Sequence, residues 1–336
     1  HHVQLWIPLQ KTHYYFNTRS HSNVSNHPLV SVLIVSDYRA GAQKSWDDMR
    51  RCLAGLAHQD FSGIVEFMLL DARECLEAMP QDLATILPGL CLIPCDLDGS
   101  YEMKNLAAHL AHADLLMCID ADNIPVSSWI TAGVNAMASH PQAIAISGRT
   151  SYPPRTILER VLGLLSRSYT DAGTEGPVTL LATNNMIIRR EQLLNDPLPE
   201  GLGPFAYRLL TEKWHRQGKQ LFFCPDMRVV HDFEGWPMER DVRRGVGWTE
   251  IRLRQLDDSF RGGRVVRALG ALSIPPLYLY RVTDRLTRAL PLLRHFGLSW
   301  WDAPLVIGLT LYVHALEIPG MVRALRGLDA GHSAYR

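Results

Sequence analysis

A short apolar run that ends in two aspartates constrains this chain more than any other feature. Residues 115–119 (LLMCI) are apolar, and the sequence continues Asp120-Ala121-Asp122-Asn123. Such a run, followed at once by polar residues, predicts a buried strand. Carboxylates at the carboxyl end of a strand in an α/β chain lie where these proteins bind ligands. Two of them at i and i+2 can share a hard divalent cation with phosphate oxygens, although an acidic turn is the simpler reading of this motif alone.

The composition is that of a globular protein and gives no reason to expect nucleic-acid binding. The 336 residues include 34 Lys plus Arg and 34 Asp plus Glu, so no net charge would attract nucleic acid. The length suits one large or two modest domains. The six cysteines form no CxxC pair and lie mostly in apolar segments, which is typical of buried thiols in a reducing compartment.

Strand and helix patterns alternate along the first half of the chain, which predicts an α/β fold with a mostly parallel sheet and helices on both faces. We predict strands over 30–36, 64–70, 90–94, 115–119 and 143–147, and helices over 45–58, 101–113 and 126–139. The second part is less regular. There we predict helices over 155–169, 205–217 and 238–255, and strands over 178–183, 186–188, 220–224 and 228–231.

Seven segments, in order, resemble the inverting family 2 glycosyltransferases. They are the strand 30–35, the helix pattern 51–59, the strand 67–71 with its terminal Asp, the pair Lys104-Asn105, the run 118–122 (CIDAD), the segment 183–190 (TNNMIIRR) and the segment 224–231 (CPDMRVVH). The resemblance covers residues 30–254 and implies the GT-A fold of nucleotide-diphospho-sugar transferases. It also implies transfer of a sugar, with inversion, from a nucleotide-sugar donor to a lipid-linked or glycan acceptor.

The same resemblance implies a metal site. Asp120 and Asp122, with His231, would hold Mn²⁺ or Mg²⁺ against the donor diphosphate, where the cation stabilises the leaving nucleotide. The competing reading of His231 is a purely structural histidine after a strand.

Donor-binding roles are implied for several further residues. Asp71 would accept a hydrogen bond from the base or ribose, although it could instead cap a turn or helix. Lys104 would contact a phosphate as a point charge, or else remain a solvated lysine. Arg243 and Arg244 resemble a basic, Trp-containing segment near the diphosphate or the membrane, and a solvated helix face is the alternative.

The expected general base is missing. Members of the family usually carry Glu-Asp at the start of the helix that here precedes Gly218, but these positions hold Ala206 and Tyr207. We therefore rank Glu212 first as catalytic carboxylate, then Asp232, then Glu234.

Asp171 is a further candidate base outside that order. The missing base also leaves open a non-catalytic GT-A domain that binds nucleotide-sugar or glycan as a partner subunit. A nucleotidyltransferase ranks last, because residues 36–41 contain one glycine where that class usually has a Gly-rich loop.

We divide the chain into an N-terminal extension (1–28), a catalytic domain (29–260) and a tail (261–336). The catalytic domain comprises a nucleotide-binding half, 29–125, and an acceptor half, 126–260. The tail has ten Arg, no Lys and four acids, a net charge of +6, and it is rich in apolar residues.

These properties predict apolar and amphipathic helices, over 268–280, 282–293 and 298–318, that lie on or dip into the cytoplasmic face of the plasma membrane. A buried helical subdomain is the alternative. Trp300 and Trp301 would lie at the membrane interface. The arginines expected to face anionic headgroups are Arg261, Arg264, Arg267, Arg281, Arg285, Arg288, Arg294, Arg323 and Arg326.

Overall fold

The computed structural model describes residues 27–36, 46–97, 99–153, 156–203, 205–232, 235–257 and 260–331. Its strands are β1 Val30–Val35, β2 Val65–Ala72, β3 Leu90–Cys95, β4 Leu115–Asp120, β5 Asn123–Pro125, β6 Ala143–Ser151, β7 Gly176–Val178, β8 Asn185–Arg189 and β9 Gln220–His231. Its α-helices are α1 Asp47–Ala57, α2 Arg73–Glu77, α3 Gln81–Ile86, α4 Ser100–Leu110, α5 Trp129–Ser139, α6 Ile157–Arg167, α7 Arg190–Asn195, α8 Tyr207–Arg216, α9 Trp236–Leu256, α10 Gly263–Leu269, α11 Ile274–Ala289, α12 Ala303–Ala315 and α13 Ile318–Leu325.

All nine described strands belong to one sheet, in the order β3-β2-β1-β4-β8-β6-β9-β5, with β7 also paired to β9. Strands β1 to β4, β6 and β9 run in one direction, while β5, β7 and β8 run in the other. This confirms the mostly parallel sheet. Val35 lies opposite both Leu70 and Asp120, so the ends of β2 and β4 meet at the same edge, as predicted for Asp71 and Asp120.

The central strands are mostly apolar because helices cover both faces of the sheet. In β1, Leu33 and Val35 point into one core, which includes side chains of α4 and α8. Val32 and Ile34 point into the other, with side chains of α1 and α5. Alternate residues of one strand therefore fill two separate cores, which fixes the register of the sheet.

Two strand predictions in the second half are wrong in detail. Strand β9 is continuous through Pro225, because the sheet absorbs residues 225–227 in a bulge where the register jumps from Gly148–Cys224 to Arg149–Arg228. A Cβ at Gly148 would lie 1.8 Å from the carbonyl oxygen of Met227, so the bulge requires glycine there. Within 178–183, only Val178 is in a strand, although Leu181 and Ala182 are buried. Their apolar character reflects burial in a non-strand segment.

The described part of the tail packs against the α/β part of the chain. Helices α6, α11 and α12 share an apolar cluster, and α9 packs against α13. The latter contact is close, because a Cβ on Gly247 would lie 1.9 Å from the Glu317 carbonyl oxygen, and one on Gly320 would lie 1.9 Å from that of Arg244. Arg281 and Arg285 are 3% and 2% exposed. The prediction that these two arginines face lipid headgroups is therefore wrong, since helix packing buries them.

An apolar surface nevertheless remains on the tail. The segment Trp300–Leu325, of 26 residues, is long and apolar enough to cross a membrane; its most apolar 18-residue stretch has a mean hydropathy of 1.6 and is 39% buried. Trp301 is 94% exposed and Trp300 60% exposed. Along α12, Leu305, Ile307 and Leu311 are also exposed.

Candidate active site

Asp122 and His231 meet at the carboxyl edge of the sheet. Asp122 follows β4, His231 ends β9, and β5 holds the two segments together by pairing Asn123 with His231. The Asp122 Oδ2 lies 2.9 Å from the His231 Nε2. The His231 Nδ1 lies 2.6 Å from the carbonyl oxygen of Asp232, to which it donates. That contact fixes the ring and directs Nε2 towards the carboxylate.

The charges of this pair depend on each other. Burial alone would lower the pKa of His231, but the Asp122 carboxylate raises it to about 10. Burial alone would raise the pKa of Asp122, but His231 lowers it. The side chains therefore form a buried ion pair, in which the Nε2 proton provides the positive charge beside the carboxylate.

The pair has the donor atoms and spacing that a divalent cation needs. Two ligands that each lie about 2.1 Å from one octahedral metal ion, at right angles, are about 3 Å apart. The observed 2.9 Å fits that geometry if the metal replaces the Nε2 proton. Within the part of the chain that the structure describes, no group of three His, Cys, Asp or Glu side chains is close enough to hold a metal by itself. The described residues thus offer this pair of ligands, and phosphate oxygens would have to supply others.

Asp120 has a different partner. The Lys104 Nζ, on α4, lies 2.7 Å from the Asp120 Oδ1, and the side chains are 1% and 6% exposed. Lys104 is therefore not the solvated lysine of the alternative reading. A buried pair of this kind neutralises both charges at the sheet edge.

The two pairs share one cavity of about 120 Å³, which we call the sheet-edge cavity. Its lining includes Lys104, Asp120, Asp122, Asn184 and His231, so the structure brings together the predicted metal ligands and the predicted phosphate-binding lysine. The Asn184 side chain donates to the Asn123 Oδ1 at 3.3 Å. This hydrogen bond links Asn184 to the first residue of β5.

Asp71 reaches the same sheet edge but is not among the described residues that line this cavity. It is 1% exposed, and its Oδ1 accepts a hydrogen bond from the Ala72 backbone at 2.8 Å. Its predicted contact with a base or ribose stays a prediction.

A second cavity, of about 180 Å³, adjoins the first. We call it the arginine cavity, because five arginines line it. Arg167, Tyr207 and His231 line both cavities, so the two spaces meet at the end of β9. The arginines are Arg167, Arg208, Arg243, Arg281 and Arg285.

Among the candidate bases, the structure brings Asp232 to the site. Asp232 lines the arginine cavity beside His231 and binds the Arg51 Nη1 at 2.7 Å. Glu212 is exposed on α8 and is not among the described lining residues of either cavity, so the first-ranked base lies away from the site. The helix register turns it to solvent. Asp171 is held by the Arg149 Nε at 3.0 Å, and Glu234 lies outside the described residues.

The two arginines predicted to bind the donor, Arg243 and Arg244, lie on α9 in different environments. Arg243 is 5% exposed, lines the arginine cavity and pairs with Glu239. Arg244 is half-buried and pairs with Asp241, and it is not among the described lining residues of either cavity.

Sequence reasoning missed three aromatic and basic residues of the site. The Tyr152 ring lies 5.4 Å from the His231 ring, and its hydroxyl accepts a hydrogen bond from the Arg167 Nη2 at 3.0 Å. Arg285, from the tail, lines the arginine cavity, as do Tyr152 and Arg167. One sequence signal for Arg167 was available, namely a basic residue on the last turn of an otherwise amphipathic helix. The Arg285 side chain could not be placed, because the tail had no predicted packing partner.

No protein-family model matches the chain, and no curated protein matches it in sequence. Among solved structures, the mannosyltransferase PcManGT from Pyrobaculum calidifontis, in complex with GDP-Man and Mn²⁺, matches with a TM-score of 0.55 at 16% identity, over 90% of this chain and 88% of that one. S. aureus TarS 1–349 matches with a TM-score of 0.46 at 16% identity, over 89% and 90%, which is too weak a likeness to carry an argument.

The chain has a glycosyltransferase fold. At 16% identity the match to the mannosyltransferase shows the fold alone. It confirms the GT-A-like architecture that the sequence resemblance implied, while membership of family 2 stays a prediction.

Proposed function

We propose that this protein is a metal-dependent glycosyltransferase that moves a sugar, with inversion, from a nucleotide-diphospho-sugar to a lipid-linked or glycan acceptor. One observation carries the proposal: Asp122 and His231 lie 2.9 Å apart at the ligand-binding edge of a glycosyltransferase fold. A fold comparison supports the donor class, because the mannosyltransferase of that fold was solved with GDP-Man and Mn²⁺.

The residues of the sheet-edge cavity would have different roles. Asp122 and His231 would hold the Mn²⁺ or Mg²⁺ ion, which when bound supplies Lewis-acid stabilisation of the leaving diphosphate. Lys104 holds the Asp120 carboxylate in place, with Nζ 2.7 Å from Oδ1. Asp120 keeps its second carboxylate oxygen for a direct or water-mediated contact.

Asp232 is the carboxylate that we assign as general base. An inverting displacement needs a base within hydrogen-bond reach of the acceptor hydroxyl. Asp232 lies where the two cavities meet, next to the proposed metal ligand His231. Its contact with the Arg51 Nη1 at 2.7 Å orients the carboxylate.

The second candidate is a non-catalytic GT-A domain that binds nucleotide-sugar or glycan as a partner subunit. It is favoured by Tyr207, which occupies the usual base position, because burial raises the pKa of this phenol and keeps it protonated. Turnover with a broad donor and acceptor panel separates the two functions.

We further propose that residues 29–260 form the catalytic domain and that the tail, from 261, associates with the cytoplasmic face of the plasma membrane. The exposed Trp300 and Trp301 and the outer side of α12 support this, since aromatic side chains favour the membrane interface. Arg281 and Arg285 play no part in that contact.

Donor binding tests the proposal. A panel of nucleotide-sugars, each with and without Mn²⁺, should raise the melting temperature of the protein with at least one donor, and only with metal, because ligands of the native state stabilise it. Asp122→Asn should remove that shift. Asp226→Asn, an exposed aspartate on β9, should retain it. A metal-dependent shift that survives Asp122→Asn would exclude Asp122 as a ligand.

A further inference from the structure

Arg285 is a buried cation without a carboxylate partner among the described residues. It is 2% exposed, and its nearest contacts are the Ser168 hydroxyl, 3.3 Å from Nη1, and the Tyr169 ring, whose centroid lies 3.3 Å from Cζ. Its Nε is buried and has no hydrogen-bond partner. A buried, unpaired guanidinium is costly, so its presence calls for an anion that the described residues do not supply.

The neighbouring charges are also out of balance. Glu250 contacts Arg208, Arg254 and Arg281, while Glu317 contacts Arg281 and Arg243. Glu239 pairs with Arg243. Four of the five arginines of this cluster therefore share three glutamates and Arg285 contacts none, which leaves an excess of two positive charges among the described residues of this cluster. The five arginines are Arg208, Arg243, Arg254, Arg281 and Arg285.

The positive potential acts on a nearby phenol. Burial alone would raise the pKa of Tyr169, but Arg285, followed by Arg281 and Arg208, lowers it. The lowered pKa of Tyr169 agrees with the excess of positive charge in the cluster and with the absence of a carboxylate beside Arg285 among the described residues.

The shape and lining of the arginine cavity suggest what it would hold. Arg208, Arg243, Arg281 and Arg285 lie on its wall, and the cavity opens beside His231 and Asp232 at the sheet-edge site. A second part of the wall is apolar and is formed by Leu162, Met238, Val242 and Val246. An excess of two positive charges matches a phosphate monoester or a diphosphate better than a single carboxylate.

We propose that the arginine cavity, centred on Arg285, binds a phosphate group carried by the acceptor. That the phosphate belongs to an acceptor rests on the proposed function. The binding of phosphate in this cavity does not depend on that function. The phosphate would occupy the partner position of the Arg285 guanidinium. An acceptor anchored there would present its hydroxyl or phosphate oxygen towards Asp232 and the donor.

Phosphate-dependent melting of the full-length protein in EDTA tests the cavity, because the chelator removes any metal-dependent binding at the sheet edge. Inorganic phosphate, compared with chloride at matched ionic strength, should raise the melting temperature of the parent protein. Arg285→Met should abolish this rise and should melt above the parent in chloride, because it removes an uncompensated buried charge. Arg285→Lys should retain the rise, with at least tenfold weaker phosphate affinity, since lysine lacks the guanidinium fork.

Arg254→Met is the matched control. Arg254 is also buried, at 1% exposed, but it donates to Glu250 and to the Arg261 carbonyl oxygen and does not line the cavity. This variant should melt below the parent and keep the phosphate-dependent rise. An Arg285→Met protein that melts lower than the parent, or fails to fold, would show that Arg285 is structural and would overturn the proposal. So would an equal phosphate response in Arg285→Met and parent.

Two further ligands identify the source of the phosphate. If the acceptor is lipid-borne, decyl phosphate should bind at least tenfold more tightly than glucose 1-phosphate, because its chain would contact the apolar wall. Equal or tighter binding of glucose 1-phosphate assigns a glycan phosphate instead. If neither raises the melting temperature, the acceptor assignment is wrong. A normal phosphate response without Mn²⁺-dependent donor binding would leave the anion site standing and remove the proposed function.

Discussion

The two adjoining cavities differ in how their charged side chains are paired. In the sheet-edge cavity each carboxylate has one cation beside it, with Lys104 on Asp120 and protonated His231 on Asp122. Around the arginine cavity four arginines share three glutamates, and Arg285 has no carboxylate partner among the described residues. Each of the two sheet-edge pairs is neutral without ligand, and a metal ion would enter between Asp122 and His231 by replacing a proton. The arginine cavity would gain stability only when an anion arrives, so the two sites should respond in opposite ways to loss of a charge.

The largest expected effect lies where the two cavities meet. Asp232→Asn keeps the shape of the side chain but removes the base, so turnover should fall about 10²- to 10⁴-fold, the usual contribution of general base catalysis. Donor affinity, measured by calorimetry with Mn²⁺, should change little. Glu212→Gln, at the exposed position on α8, should leave turnover unchanged. Full activity in Asp232→Asn would place the base elsewhere.

Loss of a charge from the sheet-edge cavity should strongly destabilise the folded protein. Lys104→Met leaves Asp120 buried without its cation, and breaking a buried pair in this way costs about 3–5 kcal/mol. Urea denaturation measures the effect. Lys213→Met is the matched control, because that lysine also pairs with an aspartate, Asp196, but is 48% exposed. It should lose less than about 1 kcal/mol. A similar loss in both variants would contradict the description of the Lys104 pair as a buried one.

A smaller effect should come from the contact that holds the tail, and with it Arg285, against the catalytic domain. Gly247→Ala would place a Cβ 1.9 Å from the Glu317 carbonyl oxygen, so α13 must shift, which costs about 1–3 kcal/mol. Gly245→Ala, in the same helix with no atom within 4 Å of the new Cβ, should stabilise by up to about 1 kcal/mol. Gly247→Ala should also weaken phosphate binding. If both substitutions are equally tolerated, the close helix contact is not formed.

The smallest effect concerns the membrane. The parent protein should float with anionic vesicles at low salt, and Trp301→Ala should reduce the bound fraction a few-fold, because an exposed interfacial aromatic is lost. Leu29→Ala, an exposed apolar change outside the tail, should not reduce it. If the parent protein does not bind anionic vesicles, the alternative that the tail is a buried helical subdomain is favoured.

The sequence predicted the sheet-edge region well because its signals are local. The apolar run at 115–119 and its terminal carboxylates define a strand and its ligand-binding end without knowledge of distant residues. The resemblance added His231, more than a hundred residues away, and the structure brings it within 2.9 Å of Asp122.

The arginine cavity could not be predicted in the same way. Arg281 and Arg285 look like other arginines of a basic, apolar tail, and only the packing of α11 against α6 and α9 distinguishes them from those that face solvent. Glu212 differs from these arginines, because its offset of five residues from Tyr207 rotates it to another face of α8, where it is exposed. Side chains whose role depends on contacts between distant helices carry no local pattern.

The central claim is that Asp122 and His231 together hold the metal ion that binds the donor diphosphate. A crystal of the protein with Mn²⁺ and a nucleoside diphosphate, measured at the manganese absorption edge, tests it directly. The anomalous peak should lie about 2.1 Å from both the Asp122 carboxylate and the His231 Nε2, with diphosphate oxygens among the other ligands. A bound nucleotide with no manganese peak between these two side chains would contradict the claim.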